Sequence, residues 1–365
     1  MNAKKTRILG ALLVGALWAG LTLTAWFHSP SDFSASERRK LQQFPEFTGK
    51  TVFSGKFMGK FEDYTLDQFP LRDGFRELKA NVSYKLLRMK DNNGIYLAEG
   101  HAAKMEYPLN EHSLQTAVEK FTEIHDRYLG DSNVVFSVVP DKGYFLAEKN
   151  GYLSLDYEKL FSAMKQGLPW AEYVDLTDVL SIEDYYRTDT HWRQEKILPA
   201  AQKLAQALGV TGPRQEDFRQ EALKRPFQGV YFGQAALPME AEQMVLMRSE
   251  ATDGASVLNL ENNKKMNVYA MEKEQGKDMY EIFLGGPVSI EVIENPEGPQ
   301  RELIVFRDSF GSSLVPLLLQ DYAKVTLIDI RYVPSDYLDR FVDFHGQDVL
   351  MLYSPLVLNQ SAMLK

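Results

Sequence analysis

The chain has 365 residues, a net charge of -9 and unremarkable apolar, aromatic and charged fractions, which allows one large domain, or one domain with an arm, around a sizeable core. The acidic balance argues against a nucleic-acid partner, which needs basic surface over its phosphates. No cysteine is present, so disulfides, thiolate metal sites and a cysteine nucleophile are excluded.

Lys4, Lys5 and Arg7 precede an uncharged apolar run from Ile8 to Phe27, matching the about 20 residues that cross a bilayer core as a helix. The basic flank belongs in the cytoplasm, which sends the rest outward. Residues 1–27 read as an uncleaved anchor or as a signal peptide ending near Ala25; the length of the run favours the anchor. Residues 28–53 are polar, with Pro30 and Pro45, and read as a linker. The repeat of Phe57, Phe61, Tyr64 and Leu66 predicts a helix over 54–67 that ends before Pro70. A second helix is expected from Arg72 to Met89, followed by a DNNG turn and a GIYLAEG strand.

From residue 111 onward, helices and strands alternate. Helices are expected over 111–129, 157–165, 194–208, 312–320 and 335–343. Strands are expected over 133–139, around Val174, and over 302–306, 324–330 and 348–354. Short unbroken apolar runs such as NVVFSVV and ELIVF suit strands buried on both faces. The pattern predicts an α/β fold with a mostly parallel sheet flanked by helices. Residues 213–297 break the rhythm with short runs (MVLM, MNVYA, EIFLG, VSIEVI) and read as β-rich material inserted in, or packed onto, that core.

Two stretches carry candidate chemistry. In LIVFRDSFGSSLVPLL, Ser309 sits where a strand enters a helix, at the sheet edge where ligands gather in α/β folds. Backbone N–H groups at this helix start, at Phe310 and Gly311, suit a tetrahedral oxyanion. The competing reading is that Asp308, Ser309 or Ser312 caps the helix. In YYRTDTHWRQE, Asp189 precedes His191 by two residues. An extended chain there puts both on one side, so the carboxylate can orient a ring that activates a serine. The competing reading is a capped helix start with a packed histidine. The other histidines show no metal-ligand spacing, and neither a Walker loop nor a dinucleotide fingerprint occurs, so no metal or cofactor is expected.

TDTHW (188–192) and RDSFG (307–311), with DQFPLRD, NNGIYL, VVPDKGYF, IDIRYV and LYSPLVLNQ in order, resemble the DHHW-type proteins and the related alginate- and cell-wall-type polysaccharide O-acetyltransferases of the SGNH-hydrolase-like group. The resemblance spans most of the chain beyond the N-terminal run, except 213–297. It implies an SGNH-like catalytic domain over 54–365 with a triad of Ser309, His191 and Asp189. It also implies acyl transfer onto a polysaccharide hydroxyl, outside the cell, with the acetyl group supplied by a membrane-bound O-acyltransferase; the alternatives are a carbohydrate esterase with the same triad and a non-catalytic glycan-binding or assembly protein. DTHW stands where the family name has DHHW. Arg307 stands where a glycine is usual beside the oxyanion hole. Arg331, Tyr332, Trp192 and Lys142 are further candidates for binding substrate or aiding the oxyanion. Trp170, Tyr185 and Tyr186 are candidates for stacking on sugar rings.

Overall fold

The structure, a computed structural model, describes residues 3–34, 36–237 and 239–365. The chain divides into two compact units. One holds the residues up to Asn92 together with a short return segment, 233–237 among the described residues; the other holds 93–232 and 239–365.

The N-terminal unit begins with α1 (Ala3–Phe27). Its Lys4–Phe27 stretch is long and apolar enough to cross a membrane, and none of its residues is buried. Residues 28–53 are not the open linker that their polarity suggests. Phe33 and Ser34 pair with Lys40 and Arg39 in a small hairpin, and Gly49–Phe53 forms a helical turn. Charge holds the segment down: Arg39 grips Asp67 at 2.5 and 2.8 Å at the end of α2 (Lys56–Asp67). Phe57, Phe61 and Tyr64 of α2 collect around Phe44 with ring centroids 5.4–6.2 Å apart. The second predicted helix is shorter than expected as an α-helix: α3 (Arg72–Asn81) passes into a π-helical turn, Val82–Leu86.

The larger unit is built on one eight-stranded sheet. Its strands are β1 (Val134–Val138), β2 (Glu172–Tyr173), β3 (Ser256–Asn259), β4 (Lys264–Asn267), β5 (Ile290–Glu294), β6 (Glu302–Arg307), β7 (Lys324–Ile328) and β8 (Asp348–Tyr353). The spatial order is β4-β3-β5-β7-β6-β8-β1-β2. The run from β7 to β2 is parallel, and β5, β3 and β4 extend it antiparallel. Residues 213–297 therefore do not stand apart: three of their segments lengthen the core sheet. One expected strand is absent. EIFLG is not extended, and Met279–Ile282 forms a 3-10 turn.

Alternate residues of each parallel strand feed opposite layers, as a period of two requires. Val135, Leu303, Val305, Leu350 and Leu352 pack with α6 (Leu198–Ala207) and α7 (Phe310–Leu318). Phe136, Ile304, Phe306, Val349 and Met351 pack with α4 (Glu111–Ile124) and α5 (Tyr157–Gly167). Covering on both faces explains why these strands read as unbroken apolar runs. The parallel strands are in step, Arg307 opposite Leu352 and Leu352 opposite Ser137, so the residues that follow them emerge at one edge.

Candidate active site

Ser309 follows β6 at that edge and is the first residue before α7. Capping falls to its neighbour. Asp308 accepts the Phe310 N–H on one oxygen (3.0 Å) and the Ser354 N–H on the other (2.8 Å), which ties the start of α7 to the end of β8. Ser309 makes no side-chain cap, so its hydroxyl is left for another partner. That partner is His191, whose Nε2 lies 2.7 Å from Ser309 Oγ. His191 Nδ1 lies 2.6 Å from Asp189 Oδ1. An ionised carboxylate only accepts, so Nδ1 carries the ring proton and Nε2 is left to receive one from the serine.

The segment bearing Asp189 and His191 is a series of bends and starts no helix; α6 begins at Leu198. Its shape comes from outside contacts. The Arg187 and Thr188 N–H groups donate to Glu242 at 2.8 and 2.9 Å, and Gly229 N–H donates to Thr188 Oγ1 at 2.9 Å. Val230 N–H donates to Asp189 Oδ2 at 2.7 Å, and Tyr231 Oη donates to Thr190 Oγ1 at 3.0 Å. Gly229 is required for this approach, because a Cβ there would stand 2.2 Å from Asp189 Cβ and 2.4 Å from its Cα. Asp189 is fully buried and His191 is 8% exposed. Both Asp189 oxygens thus face donors, as buried polar atoms require.

Tyr280, absent from the sequence-derived candidates, completes the setting. Its ring lies flat on the His191 ring, with centroids 3.7 Å apart and planes 6° off parallel. Its hydroxyl donates to the Ser309 carbonyl at 3.3 Å and sits 2.8 Å from Ser313 Oγ. Trp192 Nε1 donates to Ser313 Oγ at 2.9 Å. Indole, serine and phenol therefore form a donor chain that ends on the backbone of Ser309. No spacing in the sequence points to Tyr280, because it belongs to the 3-10 turn of 279–282, inside the segment that breaks the α/β rhythm.

The remaining sequence candidates divide. Trp192 is fully buried and cannot wall a cleft; its indole packs edge-on against Phe310, ring centroids 5.4 Å apart. Tyr185 and Tyr186 are likewise buried, and Trp170 stacks on His125 at 4.2 Å. Lys142 is buried, donating to the Tyr186 and Arg187 carbonyls at 2.8 and 3.2 Å. Burial lowers its pKa to about 7, opposed by Asp189, Glu242 and Asp141. Its place is behind the Asp189 segment and not in a cleft. Arg331 is held by Asp329 at 2.6 and 2.8 Å just past β7, while Tyr332 is 48% exposed. Phe310 and Gly311 N–H groups both donate to Asp308, which corrects the expectation that they stand free for an oxyanion. Among the described residues the Ser309 N–H has no hydrogen-bond partner and is the donor left at the helix start.

Arg307 does not enter the cleft. It is 1% exposed, donating to Ser312 Oγ at 3.0 Å and to Glu291 Oε2 at 3.2 Å. Burial raises the Glu291 pKa to about 7, with Arg307 opposing. Gly311 lets the arginine stem pass, since a Cβ there would lie 2.8 Å from Arg307 Cβ. No cluster of metal-ligating side chains occurs among the described residues.

No family model matches the chain, and no curated protein matches it. Solved structures do. A DHHW family protein from Eubacterium siraeum superposes with a TM-score of 0.57 at 20% identity, covering 73% of this chain and 93% of that one. Bacillus cereus PatB1 superposes with a TM-score of 0.55 at 16% identity, covering 72% and 96%, and also does so as a sulfonyl adduct, covering 72% and 95%. The chain has the α/β fold of these proteins, and Ser309, which follows one of its five parallel strands, is the residue that the Asp189–His191 pair meets.

Proposed function

We propose that this protein is a membrane-anchored, extracytoplasmic O-acetyltransferase that passes an acetyl group through Ser309 onto hydroxyls of a cell-surface polysaccharide. The observation that carries the reading is the unbroken line from Asp189 through His191 to a serine free of capping duty. In the first step Ser309 Oγ attacks the acetyl carbonyl while His191 Nε2 takes its proton. Buried Asp189 stabilises the imidazolium. The Ser309 N–H and the positive end of α7 face the developing oxyanion. Collapse expels the donor's leaving group, which takes the proton from His191. A sugar hydroxyl then attacks the acetyl-serine, His191 takes that proton, and the serine leaves with it restored. The acetyl donor is supplied by a membrane-bound O-acyltransferase, and α1 keeps the chain beside that partner.

A second reading, a carbohydrate esterase, uses the same residues with water as acceptor. A purified sample given an activated acetyl ester and an oligosaccharide separates them. Acetylated sugar supports transfer, and acetate alone supports hydrolysis. A sulfonyl fluoride is a fitting probe, since the fold relative PatB1 exists as a sulfonyl adduct. Labelling of the wild type but not of Ser309→Ala supports the nucleophile; equal labelling of both rules it out.

A further inference from the structure

In the N-terminal unit, α3 and its π-helical continuation are built inside out. The side facing the unit is polar. Arg72 pairs with Glu37, Arg76 lies 3.2 Å from Glu37 and donates to the Gly233 carbonyl at 2.7 Å, and Ser83 is buried. The side facing out is apolar. Leu71, Phe75, Leu78, Val82 and Leu86 are 77%, 43%, 58%, 37% and 74% exposed. Their spacing of i, i+4, i+7, i+11 and i+15 is one helical face. A helix that packs onto a core in water shows the reverse arrangement.

Charge accompanies the stripe. From Leu78 to Lys90 the chain carries Lys79, Lys85, Arg88 and Lys90 and no Asp or Glu, in a protein whose net charge is -9. All four are exposed. At helical spacing, Lys79 and Lys85 fall on opposite borders of the apolar face, where a lysine stem lies along apolar surface. An apolar face with basic borders suits the plane of an anionic bilayer: the acyl boundary takes the stripe and the headgroups take the cations. The stripe also belongs to the same compact unit as α1, whose Lys4–Phe27 stretch has the length and composition of a membrane span.

We infer that α3 and its π-helical turn (Arg72–Leu86), with the basic residues that follow, lie in the plane of the membrane interface and bind anionic lipid, a second attachment beside the span. The inference rests on the membrane anchoring proposed above and not on the chemistry of Ser309. It means that the chain is attached to the bilayer at two points, and that lipid composition influences how firmly it is held.

The cysteine-free chain suits a direct test. Full-length Leu78→Cys, Leu86→Cys and Glu77→Cys variants, each labelled with an environment-sensitive nitrobenzoxadiazole dye, are reconstituted into phosphatidylcholine vesicles with or without phosphatidylglycerol. Brominated acyl chains serve as quencher, and alkaline extraction reads insertion of α1 separately. The expected result is blue-shifted, bromolipid-quenched emission at positions 78 and 86 in the phosphatidylglycerol vesicles, with the label at 77 left in water. Adding Lys85→Glu and Arg88→Glu is expected to abolish that quenching while α1 stays inserted. Labels at 78 and 86 as water-exposed as the label at 77 overturn the proposal. So do labels shielded from water but untouched by bromolipid, which would mean that protein covers the stripe. Equal quenching with and without phosphatidylglycerol overturns the anionic requirement.

Discussion

Replacing Asp189 by asparagine removes one charge and almost no volume, and the site cannot absorb the change. One Asp189 oxygen accepts from the His191 ring and from the His191 backbone N–H, at 2.6 and 3.1 Å; the other accepts from Val230 N–H at 2.7 Å. An amide has one acceptor end. If that end turns to Val230, the NH2 group meets the imidazole and drives its proton to Nε2, the atom that must receive one from Ser309. If it turns to His191, the NH2 group meets the Val230 N–H in a fully buried place. The first arrangement orphans the His191 backbone N–H, whereas the second orphans both the Val230 N–H and the amide NH2 group; each orphaned donor costs about 1–3 kcal/mol, so the first is preferred, and with it the wrong tautomer. The comparable change in serine hydrolases lowers kcat by about 10⁴, which is about 5.5 kcal/mol at about 1.4 kcal/mol per tenfold. Turnover of an activated acetyl ester measures the loss against Ser309→Ala as baseline, and nitrogen NMR of His191 reports where the ring proton sits. A folded Asp189→Asn protein that keeps its Nδ1 proton and within about tenfold of wild-type activity would refute the reasoning.

Three further outcomes are expected. Gly229→Ala forces a Cβ to 2.2 Å from that of Asp189, so it should destabilise the protein by about 1–3 kcal/mol and lower activity more than Ala substitution of the exposed Gly254; equal melting temperatures would count against it. Tyr280→Leu removes the flat ring on His191 and should cost roughly tenfold in rate, whereas Tyr280→Phe keeps the stack and should lose less; the reverse order would assign the effect to the hydroxyl. Lys142 gives a pH signature. Burial lowers its pKa from the ordinary 10.5 to about 7, so between these values the unfolded chain holds a proton that the folded chain has released, and stability rises with pH. Urea titrations from about pH 6 to about pH 10 should show wild-type stability climbing relative to Lys142→Met, by up to a few kcal/mol at about 1.4 kcal/mol per unit; parallel curves would show that the ammonium stays charged.

What could be read from sequence follows from where information is local. Strands β1, β6, β7 and β8 are apolar runs bounded by polar residues, and this follows from their covering on both faces. Asp189, His191 and Ser309 could be singled out because each stands in a short stretch with a chemical reading of its own. The donors that fix them could not. Val230 N–H and Gly229 act through the backbone, which carries no side-chain signature, and Tyr280 reaches His191 from a turn whose sequence, MYEIFLG, looks like a strand. Phe310 and Gly311 illustrate a different failure. A helix start suggests free N–H groups, but Asp308 takes both, the Phe310 N–H on its side chain and the Gly311 N–H on its backbone carbonyl, and no spacing in the sequence shows that. Trp192 is a cleft candidate because His191 stands beside it, and alternation along a bent chain turns it inward; Lys142 is one because it follows β1, but it opens a short helix, Lys142–Leu146, that buries it.

Residues 213–297 carry most of what steadies the relay: Glu242 under Thr188, Val230 against Asp189, Tyr280 on His191 and Glu291 on Arg307. A trimmed version of the protein, cut back to the alternating α/β frame for ease of production, would keep all three relay residues and lose each of these supports. Transplanting the same three side chains onto a bare scaffold would meet the same fate, so the smallest working unit is set by the segment that least resembles the rest of the chain.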